Sequence, residues 1–175
     1  MRLFLLAAAA SAAAATATPA LAHVELASDK APAGSSYKAV LVVPHGCAGS
    51  ATIALRVQIP DGVVGTKPMP KPGWKVTTVV KRLTQPIEHE GATITEDVRE
   101  IDWTGGNLPD SFYDEFVFVA ELPDSPGKVL HFPAIQECAK GTVRWIDIPA
   151  EGQSEDDVKA PAPSRPLGPK RAGGD

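Results

Sequence analysis

From residue 37 onward, several segments alternate apolar and polar residues with period two, the pattern of strands with one buried and one wet face. The first clear segment covers residues 37–43. In the second, Ile53, Leu55, Val57 and Ile59 point one way and Ala54, Arg56 and Gln58 the other, until Pro60-Asp61-Gly62 stops the strand. Residues 74–80 and 98–103 read as further strands, the latter ended by Gly105-Gly106. Phe112, Phe116, Phe118, Ala120 and Leu122 line one face of the next, and 129–132 and 143–148 complete the set. Turn residues recur between these segments and no helical periodicity is sustained, which predicts an all-β sandwich or barrel. "KPMPKPG" (67–73) cannot donate a regular ladder and is expected as an extended surface loop.

The first 22 residues break this pattern. Arg2 is followed by Leu3-Phe4-Leu5-Leu6, an alanine-rich stretch and Ala20-Leu21-Ala22, the layout of a secretory signal peptide with an A-x-A cleavage site before His23. Ser11, Thr16 and Thr18 interrupt the apolar run, which falls short of the roughly 20 residues a spanning helix needs. The domain plan is therefore 1–22 signal peptide, 23–160 one β-sandwich domain, and 161–175 a Pro/Gly-rich tail expected to be disordered. The expected product is periplasmic or secreted, with no membrane anchor after signal removal. Formal charge is −4 with no long basic cluster, which argues against nucleic acid as a partner.

Cys47 and Cys138 are the two cysteines. In an oxidising compartment a single disulfide is the expected outcome, closing a loop of about 90 residues, with a thiolate metal site as the alternative. A blue-copper centre needs a thiolate with two imidazoles and usually a thioether, and neither histidine nor methionine follows Cys138. No G-x-S-x-G, H-E-x-x-H or phosphate-cradling loop is present, so no catalytic residues are nominated. His45 stands near Cys47 in "VPHGC", but a cysteine held in a disulfide is no nucleophile.

Chemistry concentrates at residue 23. Cleavage before His23 gives it a free α-amine beside its own imidazole Nδ1, and the two close a chelate ring on a metal. An α-amine and an imidazole titrate near 8 and 6.5, so both release protons to a metal near neutral pH. Nitrogen ligands in a tetragonal set favour Cu(II). Further ligands must come from the fold. Glu115 stands on an aromatic and aliphatic strand where a carboxylate needs a partner. Trp145 shares a strand face with Val143 and Asp147, as a core tryptophan or one stacked over a metal.

"AHVEL", "VPHGC", "ALRVQIPDGV", "KPMPKPGW", "EIDWTGGNLPDSFYDEFVF", "FPAIQEC" and "VRWIDIP" together resemble the YcnI-like copper-binding domain family, from His23 to about Pro163. The resemblance implies an extracytoplasmic, cupredoxin-like β-sandwich holding Cu(II) in a monohistidine brace. By motif, His23 is the brace, Glu115 in "YDEFVF" the carboxylate and Trp145 in "VRWIDIP" the neighbouring aromatic. Glu25, two residues after the brace, departs from the expected pattern and is a competing oxygen ligand.

The expected fold class is thus an all-β, cupredoxin-like or immunoglobulin-like β-sandwich with one disulfide, Cys47–Cys138. The expected function is non-enzymatic Cu(II) binding in copper homeostasis, as store, scavenger or metallochaperone, with copper-trafficking proteins or a copper transporter as partners. Two rivals stand beside it. A brace-type oxidative copper enzyme would need a second histidine from His45, His89 or His131. A metal-free secreted binding module would dock a partner through its loops and be indifferent to His23.

Overall fold

The computed structural model describes residues 23–27 and 30–170. The signal peptide and its cleavage site lie outside the described residues, as do residues 171–175. Strands are β1 (Glu25–Leu26), β2 (Ser36–Val43), β3 (Thr52–Gln58), β4 (Val64–Pro68), β5 (Lys75–His89), β6 (Ala92–Leu108), β7 (Asp114–Glu121), β8 (Val129–His131), β9 (Ala134–Cys138), β10 (Thr142–Trp145) and β11 (Ser164–Pro166). One antiparallel sheet has the order β1-β2-β7-β4, the other β10-β9-β3-β6-β5, and β11 pairs with β8 in a small ribbon. The two larger sheets form a sandwich, with β1 and β10 each ending one sheet.

The core follows from the alternation. Leu41 and Val43 of β2, and Phe116 and Phe118 of β7, face Leu55 and Val57 of β3, and Ile101 and Trp103 of β6. Trp103 meets Phe116 edge-on at 5.5 Å, joining the two sheets, and Phe118 packs on Phe132 at 5.8 Å. Cys47 and Cys138 form the expected disulfide, with Cα atoms 5.9 Å apart.

Several sequence expectations change at the edges. Ile53 is exposed and Thr52 fully buried, because a bulge between Thr52 and Ala54 shifts the register and reverses the faces at the start of β3. Lys67 and Pro68 belong to β4 rather than to a loop; β4 is an edge strand, where a proline's missing N–H costs no ladder bond. Phe112 is exposed and precedes β7 in a turn closed by its N–H on the Pro109 carbonyl. Gly105-Gly106 does not end β6. Gly106 lies against the Trp74 indole, and a Cβ there would stand 2.0 Å from Cε2.

The two segments expected at 74–80 and 98–103 are the roots of one long hairpin, β5–β6. It turns at Glu90 and Gly91, both with positive φ, the two-residue turn that matches strand twist. Much of its outer part is exposed on both faces, so the polar residues there gave no alternating signal.

The disorder expected of the tail is corrected for residues 161–170, while 171–175 lie outside the described residues. Residues 161–170 fold onto the sandwich. The Phe132 N–H donates to the Pro163 carbonyl at 2.7 Å, the Gly127 N–H to Leu167 at 2.8 Å and the Gly168 N–H to Ala31 at 2.9 Å. Ala162 and Leu167 of this strap are buried. Proline enrichment here reflects an extended, docked strand rather than lack of order.

Candidate functional site at the β1 and β10 edges

His23 stands two residues before Glu25, the start of β1, which is held by the pairs Glu25↔Val42 and Leu26↔Leu41 and by the Ala27 N–H on the Val40 carbonyl at 2.9 Å. Val24 and Leu26 are buried while Glu25 is exposed, the expected alternation of an edge strand. This fixes where residue 23 emerges. The His23 ring lies 5.6 Å from the Trp145 ring, centroid to centroid, at an interplanar angle of 58°. Its Nε2 is buried without a hydrogen-bond partner.

Trp145 ends β10 opposite Ala134 and is buried. Its Nε1 donates to Gln136 Oε1 at 3.0 Å. Gln136, itself buried, donates from Nε2 to Thr52 Oγ1 at 2.8 Å and to the His45 carbonyl at 2.7 Å. Thr52 Oγ1 lies 3.8 Å from Cys138 Sγ, so this polar chain reaches the disulfide.

The other wall comes from the end of the fold. A cleft of about 240 Å³ is lined by His23, Glu25, Leu26, Glu155, Ser164 and Arg165, among others. Arg165 Nη2 donates to the Leu26 carbonyl at 2.6 Å, and Ser164 Oγ donates to Glu155. Glu155 belongs to a short 3-10 turn, Glu155–Asp157. There Asp157 accepts from the Ser154 N–H at 2.7 Å and from Oγ at 3.0 Å, and these bonds hold its carboxyl below the ordinary carboxylate value.

Glu115 is exposed on β7. It stands opposite Val42, which stands opposite Glu25, so Glu25, Val42 and Glu115 form one row across the outer face of the sheet. Two strand spacings separate its ends, about 10 Å. The main chain of Glu115 is anchored: its N–H donates to Asp114 Oδ1 at 2.8 Å and its carbonyl accepts from Lys71 Nζ at 2.9 Å. The fold thus brings His23 and Trp145 into contact, and sets Glu115 two strands in, with Glu25 the nearer carboxylate of that row.

Among the described residues, no three or more His, Cys, Asp or Glu side chains form a group able to hold a metal. His45 lies between β2 and β3, His89 at the far end of β5 and His131 on β8. A metal at His23 would therefore draw on main-chain nitrogen as well as side chains.

Gln136, Thr52 and Arg165 escaped the sequence reading. Gln136 was open to it: Ala134, Gln136 and Cys138 alternate onto one face, and a disulfide cysteine facing inward puts the glutamine inward too. Thr52 was hidden by the bulge and Arg165 by the proline-rich composition around it.

Fold and site together define a disulfide-closed, immunoglobulin-like β-sandwich whose two sheet edges meet at a histidine and a buried tryptophan. An uncharacterized protein from Nocardia farcinica, whose crystal structure reveals an immunoglobulin-like fold, is similar to it. The TM-score is 0.62 at 25% identity, over 83% of this chain and 98% of that one. Residues 23–167 match the family described as "Domain of unknown function (DUF1775)", the YcnI-like domain, and the chain belongs to that family. No curated protein matches the chain.

Proposed function

We propose that the mature protein begins at His23 and is an exported, periplasmic or secreted Cu(II)-binding protein that stores, scavenges or hands on copper without catalysing a reaction. The observation that carries this is the His23 ring resting beside buried Trp145 with Nε2 sealed and unpartnered. A neutral imidazole that keeps its proton on Nε2 has its lone pair on Nδ1, the nitrogen that forms a chelate ring with an N-terminal amine. Copper is the cargo, held by the α-amine and Nδ1 of His23 with a carboxylate, Glu115 or Glu25, as further ligand. Three protein ligands leave a position for water or for a ligand from a copper-trafficking partner or transporter.

Family membership supports this reading, as does the disulfide, which suits an oxidising exterior. No helix among the described residues is long and apolar enough to cross a membrane.

The test is a Cu(II) titration, followed by electron paramagnetic resonance, on exported protein whose N-terminus is verified by intact mass. A one-to-one tetragonal spectrum with nitrogen hyperfine structure, lost when a glycine precedes His23, is expected. Absence of stoichiometric binding sinks the proposal.

A further inference from the structure

A buried side-chain amide is costly unless its polar atoms are paired, and Gln136 is 1% exposed in the middle of an apolar face. It spends both amide hydrogens, on Thr52 Oγ1 and the His45 carbonyl, and turns its oxygen to the Trp145 indole N–H. These partners fix the amide's orientation. Flipped, its NH2 would face another donor and its oxygen another carbonyl oxygen.

Trp103 supplies the contrast. Its indole Nε1 is also buried but has no hydrogen-bond partner, so this fold tolerates an unpaired core indole. At Trp145 it instead provides a dedicated acceptor, on a four-residue strand with a neighbour on one side only. What that acceptor fixes is the indole against which His23 rests.

We infer that Gln136 is the positioning residue of the His23 site: it sets the tilt of Trp145 and, through that indole, the placement of the His23 ring. Its consequence for metal affinity rests on the copper reading above; its effect on the ring does not. Residues that orient a metal ligand from behind change affinity by roughly 10- to 100-fold when replaced.

The experiment uses mature protein and two measurements, nuclear magnetic resonance of the metal-free form and Cu(II) affinity. In Gln136→Leu, the Trp145 indole hydrogen is expected to exchange faster, the His23 ring resonances to lose their Trp145 ring-current shift, and Cu(II) binding to weaken roughly 10- to 100-fold. Gln136→Glu, kept protonated by burial, should restore all three, because its carbonyl oxygen accepts from the indole while its hydroxyl donates to the His45 carbonyl and the Thr52 hydroxyl turns to donate. If Gln136→Leu does not fold, Gln136→Asn, which withdraws the amide by one methylene, is expected to shift the same signals in the same direction. His23 resonances that stay unchanged while the indole hydrogen exchanges faster overturn the inference. If the unaltered protein binds no Cu(II), the copper reading fails, and the metal-free His23 resonances still decide whether Gln136 positions the ring.

Discussion

Arg165 Nη2 donates to the Leu26 carbonyl at 2.6 Å, joining residues 139 apart in sequence. The strap that carries Arg165 is therefore part of the domain and forms one wall of the His23 cleft. Leu167→Ala, at a site 3% exposed, should cost about 2–5 kcal/mol, and ending the chain after residue 160 should lower the urea midpoint further. An unchanged midpoint on truncation would contradict this.

Gly106 and Trp74 make a sharper steric prediction. A Cβ on residue 106 would fall within 2.0–2.4 Å of three indole atoms, so Gly106→Ala forces the indole to move. A loss of about 1–3 kcal/mol is expected by urea denaturation. The same change in a Trp74→Ala background should cost clearly less, a non-additivity that assigns the effect to this contact.

The disulfide bridges residues 91 apart. Replacing both Cys47 and Cys138 by alanine should cost about 2–5 kcal/mol, with the chain-entropy limit near the upper end. Denaturation of the unaltered protein in dithiothreitol should approach that of the double variant, and coincident curves with and without reductant would show that the link contributes little.

Acid should loosen the turn that presents Glu155. The Asp157 carboxyl is held below its ordinary value near 3.8 by its bonds to Ser154. Such a depressed group stabilises the fold above its unfolded value, and that contribution disappears as pH falls through the lower folded value. Amide exchange at residues 154–158, taken relative to the unstructured rate at the same pH, should therefore accelerate below about pH 4 in the unaltered protein. In Asp157→Asn it should already be fast at neutral pH and show no such step.

Much of the sandwich was legible because strands with one buried face leave a period-two record, as in β2, and in β7 at Phe116, Phe118 and Ala120. Where both faces are wet or the register slips, the record fails. The outer β5–β6 hairpin is exposed on two sides, and the bulge at Thr52 exchanged inward and outward residues. Of the candidate site, the contact between His23 and Trp145 joins residues from the two named motifs. Glu115 is on the strand expected for it, but its two-strand separation from Glu25 depends on sheet order, which alternation does not encode. The strap was missed because docked, extended prolines and disordered ones look alike in composition.

Among the described residues β5 pairs on one side only, and along its other edge Thr77-Thr78-Val79-Val80 is an uncharged, β-branched run of the kind that recruits another strand. Lys75 stands before this run and Lys81-Arg82 after it. Were two copies to meet edge to edge in antiparallel fashion, a register that sets Thr78 opposite Val79 would also set Lys75 opposite Arg82. That like-charge pairing would occur twice. The charges that interrupt the apolar pattern of this strand thus guard the protein against aggregating with itself.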